Sequence, residues 1–207
     1  MSRRRYQWQE GVDHLHARCD RLSEFISSFG SRKLPIRREG GLFPALARAV
    51  AYQQLSTKAA ATIHGRFLGL FPNGLAEAAL AAEMGVERLR SVGLSQAKTL
   101  SIQDLARHAL QGSLPTPHQM GRMSDEEIID RLCMVRGIGP WTAQMYLIFN
   151  LGRPDVMPAT DLGVQKGIQN IYRMRTLPEP ARVLRQTRKF TPFRSVASWY
   201  FWRASEM

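Results

Sequence analysis

Residues 132–161, LCMVRGIGPWTAQMYLIFNLGRPDVMPATD, constrain this chain more than any other stretch. Gly137-Ile138-Gly139 joins two apolar segments, the second starting at once with Pro140 and Trp141. Two glycines in such a turn permit positive φ and expose backbone N–H groups. With the free N–H groups at the start of the next helix, near Trp141 and Thr142, they form an anion site. A phosphodiester docks there without any base being read. A short proline-bearing loop then leads to a lone acid, Asp161, placed to act beside whatever the hairpin holds. The plain alternative is an ordinary αα-hairpin with a glycine turn.

The remaining segments read as helix. Val12, Leu15, Cys19, Leu22, Phe25, Ile26 and Phe29 recur at three- and four-residue steps and predict one amphipathic helix. Leu46, Val50, Leu55, Ala59, Ile63 and Phe67 predict another, over about 44–71, stopped by Pro72-Asn73-Gly74. Short helices are expected at 75–82 and 85–91. Ser95 should cap a helix running through Leu110, with Gly112 as its stop. Ser124-Asp125-Glu126-Glu127 fits a capping box ahead of Ile128, Ile129 and Leu132. Helices follow at 140–151, 161–173, 179–188 and 193–204. No segment alternates over a strand length, so the class is all-α. The basic stretch from Gly30 to Gly41 is the best linker, and there is no internal repeat or low-complexity tract.

Charge and composition narrow the partners. Lys and Arg number 29 against 17 acids, a net charge of +12 on 207 residues. Such an excess favours a polyanion, because each neutralised phosphate releases condensed counterions. A basic surface that binds nothing, or meets ribosomes or acidic lipids, is the bland alternative. No apolar run reaches the roughly 18 residues of a membrane span, so no membrane partner is expected. Met1 to Arg5 has no apolar stretch behind it, so the expected place is cytoplasm, nucleoid or nucleus rather than a secreted one. Cys19 and Cys133 form no CxxC, and His14, His16, His64, His108 and His118 form no HxxxH pair with a helical acid. Phosphate-loop and GxSxG patterns are absent, and Thr142 stands where a GxGxxG fingerprint needs its third glycine. Neither a nucleotide cofactor nor catalytic zinc is expected, and nothing suggests more than a monomer.

With Leu132, Val135, Gly137, Gly139, Thr142 and Ala143 in register, the hairpin resembles a helix-hairpin-helix DNA-binding motif. Over about residues 42–204 the chain resembles the helix-hairpin-helix DNA glycosylases, specifically the 3-methyladenine DNA glycosylase II (alkylpurine) branch, in a compact form lacking the N-terminal β lobe. AVAYQQLSTKAA (49–60) is similar to the family's duplex-wedging segment, and LRSVGLSQAKTLSIQDLA (89–106) to its second helical hairpin. LCMVRGIGPWTAQ (132–144) resembles its phosphate clamp, MPATDLGVQKG (157–167) its catalytic turn and PFRSVASWYFWR (192–203) its closing helix. The resemblance implies an all-α fold of two helical lobes with a DNA- and base-binding cleft between them. One lobe would span 42–115 and the other 1–41 with 116–207, the helix-hairpin-helix motif lying at 126–151.

The implied partner is double-stranded DNA carrying damaged bases, and the implied reaction hydrolyses the N-glycosidic bond of a flipped nucleotide. The bond breaks through an oxocarbenium-like sugar, which a carboxylate at Asp161 would stabilise while orienting water. Asp161 could instead be a first-turn acid favoured by the helix dipole. Relatives that also cut the backbone carry a Schiff-base lysine two residues after Gly139; here Trp141 stands there, implying no lyase step. The resemblance further places Trp141, Phe193, Met145 and Gln53 at the base, with core packing as the alternative for the first three. It puts Gln54 or Leu55 at the wedge and Ser56 beside them on the DNA, a solvated helix turn being the alternative for Gln53 and Gln54. Gly137, Gly139, Thr142 and Lys166 would meet DNA, with Lys58 and Arg194 as candidate phosphate or structural cations. No catalytic cofactor is implied, only an alkali cation (Na+ or K+) on the carbonyls of Cys133, Val135 and Ile138. Uracil, hypoxanthine or etheno-adduct excision, and a non-catalytic DNA-binding module, stay open as alternatives.

Overall fold

A computed structural model describes residues 7–30, 32–37 and 40–207. The Met1–Arg5 start and part of the expected linker (Ser31, Arg38 and Glu39) lie outside the described residues. In chain order the helices are α1 (Trp8–Arg18), α2 (Asp20–Phe29), α3 (Leu42–Tyr52), α4 (Thr57–Leu68), α5 (Ala78–Glu83), α6 (Val86–Arg90) and α7 (Gln96–Leu110). There follow α8 (Pro117–Met120), α9 (Asp125–Cys133), α10 (Pro140–Tyr146), α11 (Leu162–Tyr172), α12 (Pro180–Thr187) and α13 (Arg194–Ala204). Among the described residues there is no strand, as the sequence led us to expect.

Helix starts follow their capping chemistry. Ser95 accepts from Lys98 N–H at the start of α7, and Ser124 and Glu127 complete the expected capping box before α9. Two expected helices are each broken in two. Cys19 adopts φ −161° and ψ 107° between α1 and α2, and Asp20 opens the second helix. The break between α3 and α4 comes where Gln54 takes φ 54° and Ser56 caps α4 by accepting from Ala59 N–H. Apolar periodicity continues across both breaks, which is why it concealed them. The single turn α8 was not anticipated, although Thr116, Pro117 and Gln119 carry a capping-box pattern of their own. Beyond α10 the expected 140–151 helix widens into a π turn over Leu147–Leu151, and Gly152, at φ 65°, ends it.

The described residues divide into two compact units, those within 37–146 and, in the other, those within 7–36 with 147–207. The boundary expected near 115 is therefore corrected to 146, because the hairpin is tied to α7 and to the end of α3. Arg136 N–H donates to Asp104 at 2.8 Å, and Gln53 reaches both Gly137 and Thr142. Leu46, Val50, Phe67, Ile102, Leu105, Ile128, Leu132 and Ala143 are buried in the first unit. Leu15, Leu22, Val164, Ile168, Phe190, Tyr200 and Phe201 are buried in the second. There α11 and α13 approach so closely that a Cβ on Gly167 would overlap the Phe201 carbonyl.

Candidate functional site

The hairpin of the first unit is anchored from below by Val135 and Ile138, which are 1% and 3% exposed. Val135 N–H donates to Leu132 O at 3.2 Å and Ile138 N–H to Val135 O at 3.1 Å, so the turn bonds partly to itself, and Arg136 N–H is taken by Asp104. The two glycines differ. Gly137 has φ 75°, and a Cβ there would overlap Ser101 Oγ, so only glycine fits. Gly139 is not at positive φ, which corrects the expectation for it; a Cβ there would meet nothing within 4 Å. Its backbone borders open space.

Thr142 is 3% exposed, and its Oγ1 accepts from Gln53 Nε2 at 3.1 Å. The same Nε2 donates to Gly137 O at 2.9 Å. Gln53 thus staples the end of α3 to the hairpin, a different task from the base contact expected of it. Trp141 is 37% exposed at the start of α10, Met145 is half-buried on the same helix, and burial pushes the Tyr146 hydroxyl up to about 12. The carbonyls of Cys133, Val135 and Ile138 are neutral oxygen donors of the kind alkali cations take. That of Val135 accepts one N–H and keeps a second lone pair. Among the described residues no cluster of His, Cys, Asp and Glu could hold a metal.

The turn between α3 and α4 carries backbone strain at Gln54. Gln54, one of two described non-glycine residues at positive φ, is exposed, as are Ser56 and Lys58, and Leu55 is 40% exposed. Lys98 on α7, unmarked by sequence reasoning, donates Nζ to Ala51 O at 3.0 Å and Gln53 O at 2.8 Å. Burial lowers its pKa. Behind the turn, Arg48 lies over the Tyr52 ring at 4.0 Å and Tyr52 meets His64 edge-on at 5.9 Å. Burial, then the Arg48 charge, pushes His64 down to about 4.

In the second unit Asp161 is half-buried at the N-cap of α11. Its Oδ1 accepts from Val164 N–H at 2.9 Å and from Trp202 Nε1–H at 2.8 Å. The capping role that competed with catalysis is therefore real, and it fixes the carboxylate's direction. Gly163 makes room for the indole, since a Cβ there would stand 2.8 Å from Trp202 Cδ1. Trp202 also stacks on Phe149 of the π turn, ring centroids 5.5 Å apart. Sequence reasoning missed Trp202; its place in the closing-helix motif was the available signal.

The loop leading to Asp161 is held by the start of α13. Ser195 Oγ donates to Arg153 O at 2.6 Å and accepts from Val156 N–H at 2.9 Å. Arg194 donates Nε and Nη2 to the two oxygens of Asp155 at 2.8 and 2.9 Å, giving it a structural task. Gln165 Nε2 donates to Ala159 O at 2.9 Å. Phe193, expected at the base, is 9% exposed and meets the His14 ring edge-on at 5.2 Å, the packing of a core side chain. Lys166 is exposed on α11.

The family described as "HhH-GPD superfamily base excision DNA repair protein" matches residues 47–193, and the chain belongs to it. It is 36% identical over 188 residues to DNA-3-methyladenine glycosylase 1 of Schizosaccharomyces pombe, covering 90% of this chain and 82% of that protein. Its fold matches the solved structure of the S. pombe 3-methyladenine DNA glycosylase in complex with abasic DNA, with a TM-score of 0.89 at 34% identity over 96% of this chain and 97% of that one. A DNA-3-methyladenine glycosidase from Bacillus halodurans matches with a TM-score of 0.82 at 31% identity, over 94% of this chain and 88% of that one. Among the described residues no helix is long and apolar enough to cross a membrane.

Proposed function

We propose that the chain is a base-excision DNA glycosylase that flips an alkylated purine of the 3-methyladenine class out of duplex DNA and hydrolyses its N-glycosidic bond. The observation that carries this reading is Asp161, whose Oδ1 accepts from both Val164 N–H and Trp202 Nε1–H within a stapled turn. A carboxylate so oriented stabilises the positive charge that grows on the sugar and orients the attacking water. One acid suffices, because an N-alkylated purine is already cationic and leaves without further protonation. Flipping costs a few kcal/mol, less for a weakly paired lesion.

The hairpin amides of Gly137 and Gly139 grip the phosphate backbone, and Gln54 and Leu55 fill the gap left by the flipped base. Trp141 stacks on the extruded purine, a cationic ring gaining roughly 0.5–2 kcal/mol from the indole face. No lysine stands at the Trp141 position, so the product is an intact abasic strand. An alkali cation would sit on the carbonyls of Cys133, Val135 and Ile138 and neutralise charge at a phosphate. The enzyme works as a monomer without nucleotide or catalytic metal, where chromosomal DNA is found (cytoplasm, nucleoid or nucleus).

The test is base release from alkylated duplex DNA by wild type and Asp161→Asn, without added nucleotide or divalent metal. Release by wild type alone, from strands that stay uncut, is the expected result. No release of alkylpurine by wild type overturns the substrate assignment; release from uracil, hypoxanthine or etheno adducts instead identifies a different base. DNA binding with no release from any substrate leaves a non-catalytic module.

A further inference from the structure

Lys98, Ser101 and Asp104 stand three residues apart along α7, and each meets the main chain of another element. Asp104 accepts from Arg136 N–H at 2.8 Å, and Ser101 lies against Gly137, the two contacts seating the hairpin. Lys98 takes the carbonyls of Ala51 and Gln53, at 3.0 and 2.8 Å. These oxygens lie at the C-terminal end of α3, where unsatisfied carbonyls carry partial negative charge. The next residue is Gln54 at φ 54°, and after it comes the exposed Leu55. A glutamine persists in that region only where its surroundings over-determine it. Gln53 closes the circuit, with its carbonyl on Lys98 and its side-chain amide on Gly137 and Thr142.

We propose that Lys98 is a positioning residue for base eversion: its ammonium holds the turn at 53–55 in the shape that presents Gln54 and Leu55 to the duplex, in fixed register with the hairpin. The inference deepens the glycosylase reading and rests on it. Simple capping of α3 is the competing account, and it predicts lost stability without selectivity among substrates. A positioning role predicts a loss that depends on how firmly the lesion is paired, because only a paired lesion needs the wedge.

The experiment compares Lys98→Met, which keeps length and loses the donors, with Lys98→Arg, which keeps a cation. Single-turnover release is measured from an alkylated purine fully paired in duplex DNA and from the same base placed opposite an abasic site. Lys98→Met should slow release from the paired lesion about tenfold, the scale of a lost charged hydrogen bond, and change the unpaired one less than about twofold. Lys98→Arg should recover most of the loss. Equal losses on both substrates, or a lower melting temperature with an unchanged ratio, overturn the inference. Should wild type release no base at all, the glycosylase reading fails and a second readout still decides Lys98. It is 2-aminopurine fluorescence beside an abasic site at saturating protein. A rise with wild type that is much smaller with Lys98→Met supports the inference, and equal changes sink it.

Discussion

The hairpin and the acid turn are built on opposite principles. In the proposed reading the working atoms around the hairpin belong to the backbone, and side chains serve to hold that backbone in place. Gln53 bonds Gly137 and Thr142, Lys98 bonds Ala51 and Gln53, and Asp104 bonds Arg136. At the acid turn the proposed working group is a side chain, and its neighbours orient it. Val164 and Trp202 donate to Asp161, while Ser195 and Arg194 fix the loop before it. Backbone amides suit a ligand that is the same at every nucleotide, the phosphate. A carboxylate suits a charge that exists only at the reacting sugar. The hairpin should therefore be sensitive to any added volume and the acid turn to the identity of single atoms.

The largest effect should come from Asp161→Asn. Asparagine is as good an N-cap as aspartate, so α11 keeps its start and the fold its stability. Base release should fall by about 10²–10³-fold or more while DNA affinity holds. Loss of affinity in parallel would mean that the acid turn also serves binding, and the contrast with the hairpin would collapse.

Next comes the pair of hairpin glycines. Gly137→Ala forces a Cβ into Ser101 Oγ at φ 75° and should cost about 2–4 kcal/mol of stability in denaturant unfolding. Gly139→Ala meets open space, so its stability should change by no more than about 1 kcal/mol. Its methyl group should still obstruct the phosphate and weaken DNA binding, measured at fixed salt. Unchanged affinity in Gly139→Ala would show that the DNA does not approach there.

How much of this was legible follows from sequence distance. Caps at Ser95 and Ser124 were readable because donor and acceptor lie three residues apart. The place of Asp161 at a helix start was readable because its surrounding residues mark one. Trp202 and Lys98 were not, their partners lying 41 and 45 residues away, and nothing local marks a tryptophan N–H or an ammonium as aimed at either. The resemblance put Phe193 and Gln53 at the base, and spacing alone carried no sign that Phe193 also packs on His14 or that the Gln53 amide bonds the hairpin. Gly137 and Gly139 look alike in sequence; the positive φ of Gly137 and the Ser101 beneath it separate their tasks. The break at 53–56 was hidden because Leu55 continues the apolar spacing, although Ser56 offered a cap.

Trp202→Phe sharpens the account of the acid turn. Phenylalanine can keep the stacking on Phe149 and removes the Nε1–H donated to Asp161. A hydrogen bond to a charged group contributes about 1.5–3 kcal/mol, so the rate constant for base release should drop about tenfold or more. The KM for DNA should stay unchanged. A change in KM alone would make Trp202 a binding residue and remove the distinction between aiming and holding.

The smallest effect tests the hairpin unit through its proton affinity. Burial, with help from Arg48, lowers His64 from 6.5 to about 4 in the folded chain. The unfolded chain therefore takes up this proton first as pH falls, and protonation favours unfolding. The contribution is fully present above about pH 6.5 and drains away between 6.5 and 4. After allowance for solvent screening of a half-buried ring, it is on the order of 1 kcal/mol. Melting temperatures at pH 7.5 and 5 should differ less in His64→Gln than in wild type. Hydrogen exchange at pH 5 should quicken in α4, which carries His64 behind the strained turn, more than in α11 and α13. Faster exchange in α11 instead would place the acid-sensitive element beside Asp161 and reverse the assignment of which region is the more finely balanced.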